Sequence, residues 1–286
     1  MPGPVSVIIP AHDESGVIAG TLRRLIDTDP ESRLELVVAA NGCSDDTVAI
    51  AAAVSPRVKV VEVAEASKIA ALNAGDAAAT AFPRAYLDAD VRVSAGALLA
   101  VADALTEGGF VAGAPRLEVD VADASVFVRW QYQVWALTDY RGRNMIGSGL
   151  YLLSEAGRAR FDRFPDVIAD DLYVLRLFDS AERLSVSDQV FVITAPRTLS
   201  SFTRRQARII AGSEEIAHRF PHFHHEERLG SSRVLIRRIA RRPSLWLPAV
   251  PYFGSRLLAG HRAARMRGHW ASQAWNRDES TRAPGL

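Results

Sequence analysis

The chain of 286 residues has one cysteine, Cys43, so no internal disulfide framework can brace it. A reducing compartment fits that usage. Uninterrupted apolar runs are short, and none reaches the ~18 residues expected of a membrane-crossing helix. The opening run Val5 to Pro10 follows no basic cluster and is too short and too early for a signal peptide. Lysine is nearly absent: only Lys59 and Lys68 occur among 34 basic residues, the rest being arginine. Acid is missing altogether from residues 229–277. No internal repeat and no low-complexity linker interrupts the sequence.

The net charge of +1 conceals a segregation. From Arg197 onward 17 arginines face 6 acids, a balance of +11, whereas the first 196 residues carry a balance of −10. The basic end, with Trp246, Tyr252, Phe253, Trp270 and Trp275 among its arginines, suits the headgroup layer of an anionic membrane. Packing against the acidic body is the competing reading. No nucleic-acid-binding module is evident. These features lead to the expectation of a cytoplasmic protein, with peripheral contact at the inner membrane face through 229–277.

Over the first 110 residues, apolar strands alternate with amphipathic helices. VSVIIP (5–10), LELVVAA (34–40), Val58–Val63 and Ala85–Leu87 read as strands. Helices are expected over 15–26, 45–54, 67–80 and 94–105. The alternation predicts a mostly parallel central sheet with helices on both faces. Ligands in such sheets bind beyond the carboxyl ends of the strands, which directs attention to loops 10–15, 40–46, 64–68 and 88–92. Beyond residue 110 we expect strands over 110–114, 116–121 and 185–194, and helices over 122–140, 170–178 and 204–220. Residues 1–220 are read as one domain, with a donor half (1–110) and an acceptor half (111–220). Residues 221–286 form a basic helical extension.

Asp88-Ala89-Asp90 sits where the fourth strand runs out. Two carboxylates at i and i+2 there can hold one hard divalent cation, Mn2+ or Mg2+, or divide the work between metal and sugar. Asp170-Asp171 opens a later helix and offers a carboxylate able to take a proton from an attacking hydroxyl. A lysine at a helix start, as at Lys68, opposes the helix dipole, which favours a functional reason for it.

Four segments together resemble family 2 glycosyltransferases of the GT-A fold. Pro10-Ala11-His12-Asp13-Glu14 resembles the family's P-A-x-N-E, and Asn41 to Thr47 its D-G-S-x-D-x-T loop. Ser67-Lys68 to Gly75 resembles its G-K-x-x-A-L-N-x-G helix, and Asp88-Ala89-Asp90 its D-x-D. The resemblance implies an inverting, metal-assisted, hexosyltransferase-like enzyme using a nucleotide-sugar donor. Pro10, Ala11, Glu14, Asn41, Lys68, Asp88, Ala89 and Asp90 would bind the donor, and Asp90 and Asp88 the metal. Asp171 would be the general base, with Asp170 the fallback, since 169–176 resembles the family's E-D-x-x-L-x-x-R. Gly147, Ser148 and Gly149 would border the acceptor, and Arg204, Arg205 and Arg208 the diphosphate. Ile209 stands where chain-extending relatives carry tryptophan, which favours single transfer. Ala40-Asn41 replaces two frequent acids and leaves the nucleobase open. The acceptor is a small molecule or lipid-linked. A sugar-nucleotidyltransferase and a non-catalytic nucleotide-sugar-binding module remain as alternatives.

Overall fold

The structure is a computed structural model that describes residues 3–138, 145–223 and 232–266. Eight strands form one sheet in the order β3-β2-β1-β4-β7-β6-β8-β5. The strands are β1 Val5–Ala11, β2 Leu34–Asn41, β3 Val58–Val63, β4 Arg84–Leu87, β5 Arg92–Val93, β6 Ala112–Asp120, β7 Leu150–Leu153 and β8 Arg183–Thr194. β1 to β4 are mutually parallel. They are joined by α1 Ile18–Asp27, α2 Thr47–Val54 and α3 Lys68–Ala78. Beyond β4 the sheet turns mixed, because β7 runs antiparallel to both β4 and β6, and β5 antiparallel to β8. The parallel half follows the expected alternation, and the antiparallel insertion is an addition to it.

β1 shows why the sheet is sandwiched. Val5, Val7, Ile9 and Ala11 point to one core, together with Ile18, Leu22 and Leu25 of α1 and with α4, Ala95–Gly108. Ile8 points to the other core, with Leu72 of α3 and Tyr86 and Tyr151 from the neighbouring strands. Successive side chains alternate faces, so a strand with apolar residues on both faces must be covered on both sides.

Helix starts follow local capping. Ser67, Ser94 and Thr198 accept backbone N–H bonds at the starts of α3, α4 and α8, Leu199–Arg219. The Thr198 cap starts α8 five residues before the expected position. α5 is shorter than expected, Val126–Trp135, and residues 139 and 140 of that stretch lie outside the described residues. Strands 110–114 and 116–121 are one strand, β6, with a register shift between Pro115 and Arg116. Two short helices, α6 Glu155–Arg158 and α7 Asp170–Arg176, follow β7.

The basic extension is helical in its described part, with α9 Ser232–Ala240 and α10 Trp246–Met266. It packs on the body of the chain through α5 and α8: Ile239, Ala249 and Tyr252 form a small core with Val134. Trp270 and Trp275 lie outside the described residues. Among the described residues no helix is long and apolar enough to cross a membrane.

One buried charge network ties the layers beneath the sheet. Asp76 of α3 accepts from Arg84 (2.8 Å), Arg158 (2.8 Å) and the Tyr86 hydroxyl (2.5 Å). Burial alone pushes its carboxyl up, but the bonds from Arg158, Tyr86 and Arg84 prevail and hold it below the usual range. Asp76→Ala strands two half-buried arginines, so we expect a loss of about 3–5 kcal/mol in chemical denaturation. A depressed carboxyl stabilises the fold above its unfolded pKa, and that contribution is lost as pH falls through the folded one. Wild-type stability therefore declines on the acid side more steeply than that of Asp76→Asn.

Candidate active site

The carboxyl ends of β1, β2 and β3 are level, since Ala11 pairs with Ala40 and Asn41 with Val63. Asp88 follows β4 on the same rim. Because β7 is antiparallel, it starts where β4 ends, Leu150 lying opposite Leu87. The turn Gly147-Ser148-Gly149 before β7 thus falls beside Asp88.

That turn is the hinge of the site. Its three residues have positive φ values of 105°, 58° and 94°, a run that glycine tolerates at no steric cost. The carbonyl of Gly149 accepts from the Asp88 N–H at 2.8 Å. The Ser148 N–H donates to Asp171 Oδ2 at 2.9 Å. A single turn therefore bonds to both acidic segments that the sequence singled out. A side chain at either glycine would be strained by its positive φ and crowded: a Cβ at 147 would meet Asp171 at 3.1 Å, and one at 149 would meet Val91 at 2.9 Å and Asp88 at 3.1 Å.

Lys68 completes the cluster. Its Nζ lies 2.8 Å from Asp88 and 3.1 Å from Asp170. Burial works against its charge, but Asp170, Asp88 and Asp171 around it prevail and hold the ammonium well above its ordinary range. Asp170 is 6% exposed. Burial raises its carboxyl to about 6, against the pull of Lys68 and with the push of Asp171 and Asp88. Asp171 is less enclosed and accepts from Ser148 and from the Leu172 N–H (2.8 Å). Asp90 is half-buried in the turn after β4, and the Ala89 carbonyl is fixed by Thr21 Oγ1 at 2.7 Å.

The residues expected on the nucleotide side gather at the ends of β1 and β2. Pro10 and Ala11 are buried in β1. Glu14 is buried, and its N–H donates to Thr47 at 2.7 Å. The Asn41 side chain is fully buried: its Nδ2 donates to the Ala11 carbonyl at 2.8 Å, and its own carbonyl bonds His12 Nδ1 at 2.6 Å. Asn41 thus splices the first two loops together. His12, Asp13 and Cys43 lie close there, and Asp13 also holds the next loop by accepting from Ser44 at 2.6 Å. Burial, with Asp13 and Asp45, keeps the Cys43 thiol protonated. Arg204 and Arg208 are exposed on α8. Arg204 bonds Ser200 on its own helix, and Arg205 lies near Tyr132 of α5.

Three supporting residues had no motif to announce them. Tyr151 reads as one more apolar position of β7, yet its buried hydroxyl feels the charges of Asp170, Asp171 and Asp88. Gly212 of α8 abuts Ala169, where an added Cβ would come within 2.7 Å. Glu215 accepts from the Ile168 N–H at 2.8 Å. The long helix therefore sets the height of the segment leading into Asp170. A glycine spaced on the buried face of a helix was the one signal available.

Residues 6–163 match the profile of glycosyl transferase family 2, and the chain belongs to that family. It is a glycosyltransferase. No curated protein matches it in sequence. Solved glycosyltransferase structures share its fold, two of them as follows. One is the mannosyltransferase PcManGT from Pyrobaculum calidifontis, in complex with GDP-Man and Mn2+, 20% identical with a TM-score of 0.59 over 93% of this chain and 80% of that one. The other is glucosyl-3-phosphoglycerate synthase from Mycobacterium tuberculosis, in complex with Mn2+, UDP-glucose and phosphoglyceric acid, 19% identical with a TM-score of 0.51 over 74% of this chain and 80% of that one. The expected GT-A architecture is thereby established.

Gly147→Ala and Gly149→Ala each force a strained turn against an acid. Displacing a reacting group by about 1 Å costs roughly 100-fold. We expect losses of that order in sugar transfer for both variants, with far-ultraviolet circular dichroism unchanged.

Proposed function

We propose that the protein transfers a sugar from a nucleotide-sugar donor to an acceptor hydroxyl with inversion, Asp171 acting as general base. The observation that carries this reading is the Gly147–Gly149 turn, hydrogen-bonded to Asp88 on one side and to Asp171 on the other. Carboxylates more than 80 positions apart in sequence share one short stretch of backbone.

The donor set suits a hard divalent cation. Asp88 and Asp90 offer oxygen only, and the Asp88 side chain is 37% exposed at the open rim. Among the described residues the one group of three or more His, Cys, Asp or Glu side chains placed to hold a metal is His12, Asp13 and Cys43, which excludes both. Two carboxylates with the remaining ligands drawn from phosphate and water is the usual arrangement for Mg2+, and Mn2+ suits the same oxygen donors. Such an ion, held by Asp90 and Asp88, would neutralise the departing diphosphate. The two solved relatives contain Mn2+ and a sugar nucleotide, which supports extending both to this chain.

The remaining chemistry belongs to the chain itself. Asp171 receives two backbone N–H bonds, which orient its carboxylate toward an arriving hydroxyl. Its proton removal makes that oxygen a nucleophile as it reaches the anomeric carbon. Displacement from the face opposite the diphosphate inverts configuration. Lys68 keeps Asp88 and Asp170 from repelling one another, and it would face the diphosphate of a bound donor. Asn41, Glu14, Pro10 and Ala11 shape the nucleoside end. Membership of the family leaves the nucleotidyltransferase alternative without support.

The test is transfer and hydrolysis across a panel of UDP-, GDP- and dTDP-sugars with Mn2+. Asp171→Asn is expected to lose ~10²–10⁴-fold in turnover while donor affinity persists. Near-normal turnover would remove Asp171 from the base role. Asp90→Ala is expected to abolish the metal dependence of donor binding in titration calorimetry, and unchanged metal dependence would overturn that assignment.

A further inference from the structure

The outward face of α10 is apolar over its first three turns. Trp246, Leu247, Val250, Phe253, Leu257 and Leu258 are exposed by between 36% and 77%. They recur at intervals of three and four, the spacing of one helix face. The opposite face is fixed: Ala249, Tyr252, Ser255, Ala259 and Ala263 are buried, and Ser255 bonds Gln131 of α5 at 3.1 Å. The helix cannot roll to hide its outer side without breaking that packing. Contiguous exposed apolar surface of this kind marks a contact with something else.

The surrounding charge identifies the occupant. Residues 229–277 hold ten arginines and no acid. Arg256 flanks the apolar face with its guanidinium 5.5 Å from the Tyr252 ring, and exposed His261 and Arg265 continue the helix beyond it. Arg233 and Arg237 are exposed on α9. A second copy seated on this face would bring two arginine-rich surfaces together. A nucleic acid would leave six apolar side chains without a partner. An anionic bilayer satisfies both features, taking the apolar side chains below its headgroups and the arginines among its phosphates. The helix contains Pro251 and lacks the hydropathy to span.

We propose that α10 seats its outward face in the headgroup layer of an anionic bilayer, with the helix axis in the membrane plane. The inference is independent of the sugar-transfer reading, because it uses none of the rim residues.

The test is flotation of the full chain with vesicles of phosphatidylcholine alone and of phosphatidylcholine with phosphatidylglycerol. Binding is expected to the second and weaker to the first, and to fall with salt. The double variant Val250→Gln, Leu257→Gln should lower partitioning by about tenfold or more, with Mn2+-dependent donor hydrolysis in solution unchanged. Asp171→Asn should float like the wild type. The proposal is overturned if the wild type fails to bind anionic vesicles, or if the double variant binds as well as the wild type. It is equally overturned if sedimentation shows a dimer that the double variant dissolves. Absence of donor hydrolysis from the wild type, with its flotation on anionic vesicles intact, would refute the transfer reading and leave this one standing.

Discussion

The site depends on an electrostatic constraint: Asp88, Asp170 and Asp171 crowd one end of a sheet, and like charges at such range repel. Lys68 answers most of that repulsion through its contacts with Asp88 and Asp170. Its place at the first position of α3 is locally unfavourable, since helix N-termini prefer anions. The carboxylates around it reverse the preference. Asp170 nonetheless bears the strain of the arrangement, with a carboxyl raised to about 6 by its burial. Asp171 is less enclosed and is oriented by two backbone donors, which supports the base role proposed for it over Asp170.

The fold explains how such distant residues can meet. Parallel strands deliver their following loops to one rim, which accounts for Pro10 to Glu14, Asn41 and Asp88. Asp171 reaches the same rim by a different route. β7 is antiparallel and begins at that rim, so the turn before it stands between Asp88 and α7. α8 then buttresses α7 from outside through Gly212, Glu215 and the Arg176–Ser213 bond. Catalytic geometry in the second half is thus set by side-chain packing and backbone hydrogen bonds rather than by strand order.

This division also decides what could be read from the sequence. The first half was legible because its strands are mostly apolar and each loop turns polar at the rim. Residues 110–121 read as two strands because Pro115 interrupts the pattern, whereas the chain passes the proline with a register shift. The start of α8 lay hidden in a Thr198–Ser201 capping pair within a polar stretch that resembles a loop. Asn41 looked like a residue for a base edge, and its amide instead turns inward to Ala11. Tyr151 was indistinguishable from its apolar neighbours, since position along a strand says nothing about the charges waiting at its end. The outward face of α10 was visible in composition as arginines among aromatics. Only the packing of its other face determined which side chains remain outside.

The three-residue turn before β7 also limits how the enzyme can diversify. At two of its residues a side chain is strained and crowded, and its backbone is committed to an acid on each side. Selectivity for a new sugar or a new hydroxyl therefore has to be written elsewhere, in the loops at the ends of β1 and β2 or along the outer walls of α5 and α8. Engineering that rebuilds those walls and leaves the turn untouched would alter what is recognised without separating the two carboxylates that the turn holds together.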